Sequence, residues 1–284
     1  MVKILLTFLL FFSLSKAENI GLVEEVKVKD VLTSKIQSFV GEESYKTNKA
    51  YINIIFSPKA DYFNGERIDS VKIIHTLKEN GLLNLYFNKP KNLKLNFKTS
   101  GSPLFFVKIM SNTLRNIGYY RYVTKESNLN SREFSWSIQL TSEYATDPFT
   151  LESELKKSGC YIVDIEKHSA VDWTYTIDMR NGYLNIKKLA QNQEIKLKRS
   201  LYAHWLNISD ITRLEIKSSR RNHWYPKISY YDKSLHLLKV ISDDTKRRKI
   251  ILNIPKYATY IKISDIYTLK NIRDPLILRA VNSL

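Results

Sequence analysis

The sequence predicts an α+β protein in which small helix-plus-sheet modules precede a C-terminal antiparallel β-sandwich of jelly-roll type. Two observations support this prediction, and a third indicates that the two parts are separate functional units. A helix-glycine-strand pattern occurs three times in the first part of the chain. Short alternating apolar runs, which are typical of strands, dominate the part after residue 180. Positive charge is concentrated in that second part.

The chain begins with the three-part pattern of a secretory signal peptide. Lys3 supplies a positive charge, residues 4–14 are apolar apart from one Thr and one Ser, and Ser15 and Ala17 are small residues before a cleavage site. The apolar run is short for a membrane span, which favours a signal peptide over the alternative of an N-terminal anchor. We therefore predict that residues 1–17 are a signal peptide and that the protein is exported.

Cys160 is the only cysteine in the chain, so an internal disulfide cannot form. An exported protein without disulfides fits a bacterial periplasm better than a eukaryotic extracellular space. The thiol lies at the start of a predicted strand, far from the cleavage site. This position favours a buried structural thiol over a nucleophile or a lipid-bearing cysteine. The sequence therefore predicts a periplasmic location.

The formal net charge of +17 is distributed unevenly along the chain. Residues 18–179 contain 21 Lys and Arg against 20 Asp and Glu, whereas residues 180–284 contain 22 against 8. This division predicts at least two functional units, the second of which faces an anionic partner. In an exported protein, we expect that partner to be an envelope glycan, a lipid headgroup or an acidic protein, and not a nucleic acid.

A weak internal repeat of the form Leu-basic-x-x-Gly marks the ends of three helical patterns. Its copies are at residues 77–81, 114–118 and 155–159. Each glycine can adopt the left-handed conformation that closes a helix, and each precedes a strand-like run. Asp69, Ser102-Pro103 and Asp147-Pro148 are expected to begin the three helices, because these residue types favour the N-cap and first helical positions.

The strands expected in the first half follow these glycines or alternate in hydropathy. They are residues 82–87, 93–97, 119–124, 134–140 and 160–165. An earlier amphipathic helix at 26–39 is expected to end at Gly41. We predict that residues 18–100 form this helix and the first module, and that residues 101–179 form the second and third units.

The second half is predicted to be a basic β-sandwich domain that spans residues 180–284. Asn181-Gly182 is a turn signal at its start. Eight short runs are expected as strands, at 184–189, 195–197, 214–216, 228–230, 235–241, 250–254, 260–263 and 276–278. Asp243-Asp244 and the basic run 246–249 are expected to form a solvated hairpin loop, with electrostatic docking as the alternative role of the run.

Familiar catalytic signatures, such as a Walker loop or an HExxH motif, are absent from the sequence. Asp164, Glu166 and His168 alternate along a predicted strand and could present oxygen and imidazole ligands to a metal. The same alternation describes the solvated face of a strand whose other face holds Val163 and Ile165. We adopt the second interpretation and predict neither a metal nor another cofactor.

An aromatic and basic cluster in the second domain is the best candidate for a binding site. Aromatic rings stack on sugars, and Arg side chains bind carboxylates and phosphates. The alternative is that the tryptophans are core anchors and that the charges form a solvated surface. The candidate binding residues are Arg220, Arg221, His223, Trp224, Tyr225, Tyr231 and Trp205.

Two stretches of the first half carry a resemblance to other proteins. They contain Phe39-Val40-Gly41, Tyr45 and Asn48, then Asn80-Gly81-Leu82-Leu83-Asn84-Leu85. These residues, with the abundance of Lys, Asn and Ile, resemble uncharacterised periplasmic proteins of Campylobacter-like bacteria. The resemblance implies a bacterial periplasmic setting and brings no catalytic residues.

The sequence therefore predicts a non-enzymatic periplasmic binding or assembly protein of the cell envelope. Its basic C-terminal domain is expected to contact an anionic glycan, lipid or protein partner, and its N-terminal modules are expected to contact periplasmic proteins. One alternative is an enzyme that acts on cell-wall or surface polysaccharide. Another is a structural accessory subunit of a flagellar or secretion machine, for which we expect oligomers.

Overall fold

A computed structural model describes residues 31–281 of the chain. The predicted signal peptide at 1–17 and the start of the predicted helix at 26–30 lie outside the described residues. Within the described part, no helix is long and apolar enough to cross a membrane. The fold is α+β with a strand-rich C-terminal region, and the predicted fold class is confirmed.

The chain divides into two compact units. Among the described residues, the first unit contains 31–101 and Ile109–Tyr183. The second contains Ser102–Lys108 and 184–281. The division after Tyr183 lies close to the Asn-Gly turn signal in the sequence.

Six helices lie within the described residues, and two of them begin at the aspartates expected from the sequence. The helices are α1 (31–40), α2 (Glu42–Thr47), α3 (Lys49–Ile55), α4 (Ser70–Glu79), α5 (Pro103–Asn116) and α6 (Pro148–Lys156), with short 3₁₀ turns at Lys59–Tyr62 and Leu269–Asn271. The carboxylate of Asp69 accepts a hydrogen bond from the backbone N–H of Lys72 at 2.9 Å. Asp147 accepts one from the N–H of Phe149 at 3.0 Å. Both predicted N-caps are confirmed, and each satisfies a donor that the first helical turn leaves free.

The Leu-basic-x-x-Gly repeat has one local structure in all three copies. Gly81, Gly118 and Gly159 have positive φ angles of 73°, 101° and 68°. In each copy, the residue after the glycine donates its backbone N–H to the carbonyl of the first leucine, at 2.9, 2.8 and 3.2 Å. These leucines, Leu77, Leu114 and Leu155, are fully buried. The repeat therefore encodes a Schellman-type helix end that also fixes a core residue.

The first unit is built on one five-stranded sheet and a short hairpin. Its strands are β1 (Phe63–Asn64), β2 (Arg67–Ile68), β3 (Tyr86–Thr99), β4 (Val123–Leu129), β5 (Phe134–Tyr144), β6 (Tyr161–Lys167) and β7 (Asp172–Asp178). The large sheet has the order β4-β5-β3-β7-β6, with only the β3–β7 pair parallel. Strands from all three helix-glycine-strand units therefore join a single sheet, which the sequence did not indicate. Strand β7 was also not predicted.

The two faces of this sheet differ in polarity. Leu93, Leu95 and Phe97 on β3 are fully buried, whereas Lys94 and Asn96, which alternate with them, lie on the other face. Helices α4 and α6 pack on β6 and on each other. The apolar face of the sheet thus forms the core of the unit, and the opposite face is polar.

The second unit is a sandwich of two four-stranded antiparallel sheets. Its strands are β8 (Glu194–Leu197), β9 (His204–Asn207), β10 (Arg213–Lys217), β11 (Pro226–Tyr231), β12 (Leu237–Ser242), β13 (Lys249–Asn253), β14 (Tyr260–Asp265) and β15 (Leu276–Val281). The sheet orders are β13-β10-β15-β8 and β12-β11-β14-β9. Successive strands alternate between the sheets except at the β11–β12 hairpin, as they do in a jelly roll. Buried aliphatic residues of both sheets form one common core.

Seven of the eight strands predicted for this unit are present. The eighth prediction, residues 184–189, is not a strand. Residues 184–189 pair with the rest of the unit at only one position, the bridge between Lys188 and Asn207. Leu184 and Leu189 are nevertheless buried, which explains the strand-like apolar pattern. The eighth strand is instead β9, a four-residue segment too short for a clear alternating pattern.

Candidate functional site

Four loops meet at one end of the β-sandwich. The strand register brings the end of β8 beside the start of β15, and the end of β14 beside the start of β11. It likewise joins the end of β12 to the start of β11, and the end of β10 to the start of β13. The loops are residues 198–203, 218–225, 243–248 and 266–275. We refer to these four loops as the basic end.

The basic end is the more positive of the two ends of the sandwich. Its loops contain nine Lys and Arg residues against three Asp residues. The loops at the opposite end, residues 208–212, 232–236 and 254–259, contain two Lys and two Asp, and residues 184–193, which precede β8 at that end, add Lys187 and Lys188. The loops of the basic end therefore produce the stronger positive electrostatic potential.

Asn222 fixes two of the basic-end loops to each other. Its buried side-chain amide donates to the hydroxyl of Ser218 and to the carbonyl of Asp274, each at 3.1 Å. Its side-chain oxygen accepts from the backbone N–H groups of Arg273 and Asp274 at 2.8 and 2.7 Å. All the hydrogen-bonding capacity of this amide is used within the protein, so the loops are held in a fixed geometry.

An ion pair reinforces the same contact. The guanidinium of Arg221 donates to both carboxylate oxygens of Asp274, at 2.9 and 2.6 Å. The hydroxyl of Ser219 donates to Asp274 at 2.5 Å. The hydrogen bonds from Arg221 and Ser219 lower the pKa of Asp274 below its usual range. Arg221 is therefore neutralised within the protein.

The third loop, residues 243–248, joins strands of different sheets. The prediction of a hairpin here was wrong, because β12 and β13 belong to opposite sheets of the jelly roll. The guanidinium of Arg247 donates to Asp243 at 2.5 Å, and its backbone N–H donates to the carbonyl of Trp224 at 3.0 Å. Arg248 accepts a backbone hydrogen bond from Ser218 at 2.8 Å. The crossing therefore brings the basic run beside the loop at 218–225.

Most cations of the basic end are not neutralised by the protein. Within the described part of the chain, seven of them form neither an ion pair nor a side-chain hydrogen bond. These are Lys198, Arg199, Arg220, Lys246, Arg248, Lys270 and Arg273. They can bind an external anion without breaking an internal contact.

Two tyrosines lie on the loops that carry Arg220, Lys270 and Arg273. The rings of Tyr225 and Tyr267 meet edge to face, with centroids 5.0 Å apart, and Tyr267 is 65% exposed. The buried carboxylate of Asp265 accepts the backbone N–H groups of both tyrosines at 2.9 Å. It also accepts from the side chain of Asn271 at 3.0 Å. An internal hydrogen-bond network thus positions an aromatic pair at the basic end.

The structure separates the predicted binding residues into three groups. Arg220, Arg221, His223 and Tyr225 lie on one basic-end loop. Trp224, on the same loop, is instead a core residue: it is fully buried, and its indole N–H donates to the carbonyl of Ser264 at 2.9 Å. A ligand cannot stack on this ring, so the alternative of a core anchor is correct for Trp224.

Trp205 and Tyr231 lie away from the basic end. They alternate with core residues, which places them on the outer face of their sheet, and their ring centroids are 4.9 Å apart. Tyr231 is at the far end of β11 from Pro226, about 17 Å away at the rise of an antiparallel strand. Within the second unit, Lys262 and Lys108 lie 5.8 and 4.7 Å from the centre of the Trp205 ring. These two aromatic residues therefore do not belong to the basic-end site.

The three residues considered as metal ligands form ordinary side-chain contacts. Asp164 pairs with Lys35 at 2.5 Å, whereas Nε2 of His168 lies 2.9 Å from the hydroxyl of Thr174 and 3.8 Å from Glu166. Among residues 31–281, no group of three His, Cys, Asp or Glu side chains is placed to hold a metal ion. The structure therefore does not support the metal interpretation of this strand.

Cys160 is buried in the first unit, as expected for a structural thiol. Burial raises its pKa to about 11, because the thiolate is poorly solvated there, and the nearby charge of Asp178 adds to the effect. The thiol is therefore protonated at neutral pH, which is unsuited to nucleophilic chemistry.

Comparison with known proteins adds no family to this description. No family model, curated protein or solved structure matches the chain. The functional argument therefore depends on the geometry of the site alone.

Sequence reasoning missed several residues of the basic end. Lys198, Arg199, Tyr267, Lys270 and Arg273 were not among the candidates. Arg273 is 53 residues from Arg220 in the chain, and the two are brought to one end only by the jelly-roll connections. The charge asymmetry along the chain was the one signal that included the four cations among them, and no signal pointed to Tyr267.

Proposed function

We propose that the protein is a non-enzymatic binding protein of the bacterial cell envelope, and that its basic end binds an anionic glycan. The observation that carries this proposal is the concentration of seven unpaired cations in the loops at one end of the sandwich. Concentrating like charges destabilises a fold through repulsion, and solubility alone needs no such asymmetry. A function in anion binding accounts for it.

The aromatic pair favours a glycan over a lipid headgroup or an acidic protein. Sugar rings present C–H faces to aromatic side chains and present hydroxyls or carboxylates to polar groups, so a ring on Tyr267 would keep its acidic groups within reach of the cations. The basic end also has fixed loops, since Asn222 and Asp265 satisfy their own hydrogen bonds internally. A fixed site of this kind suits a stiff polysaccharide.

Binding to polygalacturonate, a carboxylated polysaccharide, tests the proposal by calorimetry. We expect binding in about 50 mM NaCl and at least about tenfold weaker binding at 200 mM, because the contacts are ionic. The double substitution Lys198→Gln and Lys270→Gln should weaken binding by about three- to tenfold. Both lysines are exposed and unpaired, so the fold should not change.

The matched control is Lys233→Gln with Lys256→Gln, which removes the same charge from exposed lysines at the opposite end. We expect this variant to bind like the unsubstituted protein, within about twofold. An equal loss of affinity in both double variants would show that net charge alone drives binding. That result would overturn the assignment of the binding site to the basic end. Tighter binding to phosphatidylglycerol vesicles than to the polysaccharide would replace the glycan with a lipid surface.

A further inference from the structure

The first unit contains a cleft that none of the preceding observations explains. Its volume is about 560 Å³, within the usual range for small-molecule sites. It lies between the segment that follows α4 and the segment that joins β5 to α6. The side chains that give it chemical character are Lys78, Asn84, Tyr86, Tyr144 and Asp147.

Two exposed tyrosines form one side of the cleft. Tyr86 is 75% exposed and Tyr144 is 42% exposed. Their ring centroids are 6.2 Å apart and the ring planes are inclined by 57°. The arrangement offers an angled aromatic surface that can receive the apolar face of a ligand.

The one cation of the cleft is paired within the protein. Nζ of Lys78 donates to Oδ2 of Asp147 at 2.9 Å and lies 3.3 Å from the carboxylate of Glu79. This hydrogen bond raises the pKa of Lys78, so the ammonium stays protonated. The side-chain oxygen of Asn84 accepts from the backbone N–H of Tyr86 at 2.8 Å, which leaves its amide group free to donate. The cleft therefore offers donors and acceptors without an unpaired cation.

A buried network fixes the segment that carries Tyr144. The Tyr144 ring stacks on that of Tyr119 with centroids 6.3 Å apart, and the hydroxyl of Tyr119 hydrogen-bonds that of Thr146 at 3.0 Å. The hydroxyl of Tyr175 donates to the carbonyl of Thr146 at 3.3 Å. The backbone N–H of Ala145 donates to the carbonyl of Leu85 at 2.7 Å, which joins the two walls. The aromatic surface is thus formed before any ligand arrives.

We propose that this cleft binds a neutral oligosaccharide, with one sugar ring against Tyr86 and Tyr144. An apolar ring face matches the tyrosines, and sugar hydroxyls, which both donate and accept, match the ion pair of Lys78 and Asp147 and the amide of Asn84. The internal neutralisation of Lys78 disfavours an anion. This site is independent of the basic end, which selects ligands by charge.

Calorimetric titration of the purified protein with the tetramers chitotetraose, cellotetraose and maltotetraose tests the proposal. The titrations use about 1 M NaCl, where ionic contacts are screened beyond about 3 Å. We expect at least one tetramer to bind under this condition. The Tyr86→Ala variant should bind it about tenfold more weakly, as expected for one lost stacking contact. The Tyr86→Phe variant should retain the affinity, because it keeps the ring.

Tyr161→Ala is the control, since Tyr161 is 43% exposed and lies on β6, outside the cleft. It should bind the tetramer unchanged. Absence of binding by all three tetramers, or equal binding by Tyr86→Ala and the unsubstituted protein, would overturn the proposal. Either result would leave the basic end untouched, because polygalacturonate binding is lost at this salt concentration.

Discussion

The two ends of the β-sandwich are formed by the same eight strands but differ sharply in charge. The basic end has nine Lys and Arg against three Asp, whereas the opposite end, including residues 184–193, has four Lys against two Asp. The basic-end loops are also tied together by Asn222, Asp265 and the pair of Arg221 with Asp274. Because both ends share one core, the core accounts for the fold. The extra charges in the loops of one end are not needed for folding.

The comparison extends to the cleft of the first unit. There the one prominent cation, Lys78, is paired with Asp147, and exposed tyrosines dominate the surface. At the basic end, most cations are unpaired and a tyrosine pair lies on the same loops. The two sites therefore differ in the feature that selects a ligand, which is charge at one and ring stacking with neutral hydrogen bonding at the other.

The largest expected effect separates the two tryptophans of the sandwich. Trp224→Ala should lower the free energy of unfolding by about 3–5 kcal/mol, because it opens a cavity in the core and leaves the carbonyl of Ser264 without its donor. Trp205→Ala, on the outer face of a sheet, should cost less than about 2 kcal/mol. Urea unfolding followed by circular dichroism measures both values. Equal losses would show that Trp224 is not the core anchor of the basic end.

A smaller loss of stability is expected when Asn222, which joins two loops of the basic end, is replaced. Asn222→Ala leaves the backbone N–H groups of Arg273 and Asp274 without their acceptor, so we expect a loss of about 2–3 kcal/mol. Asn253→Ala, an exposed position on β13, should change the stability by less than about 0.5 kcal/mol. The same urea experiment distinguishes the two. A similar polygalacturonate affinity for both variants would show that fixed loops are unimportant for binding.

The ion pair of Arg221 with Asp274 gives a third, smaller effect, which is a dependence of stability on pH. The pKa of Asp274 is lowered, so its contribution to stability is present above the unfolded-state value of about 3.9 and is lost as the pH falls through the folded-state value. Arg221→Gln should move the pKa of Asp274 back upward. Carboxyl NMR titration measures this pKa in both proteins. An unchanged value would show that Arg221 does not hold the carboxylate, and would free its guanidinium for a ligand.

Local signals in the sequence predicted much of the first unit. The caps at Asp69 and Asp147 and the three helix-ending glycines depend on interactions within five residues, which a single sequence displays directly. The joining of all three units into one sheet was not predictable in this way. It depends on pairing between distant strands, such as the parallel contact of β3 with β7.

The candidate site was only partly predictable for the same reason. The run at 220–225 was identified from its composition, but sequence alone could not distinguish the fully buried Trp224 from the partly buried Tyr225 beside it. Trp205 and Tyr231 were grouped with the cluster by composition, yet the length of β11 separates them from it. The contributions of Lys198 and Arg273 follow from the jelly-roll connections, which bring distant loops to one end.

An NMR map of glycan binding tests the central claim most directly. Backbone amide shifts are recorded while oligogalacturonate is added in low salt. We expect the shifts to be confined to loops 198–203, 218–225, 243–248 and 266–275, with little change at 208–212, 232–236 and 254–259. Shifts of similar size at both ends of the sandwich, or larger shifts at the opposite end, would contradict the assignment of anionic-glycan binding to the basic end.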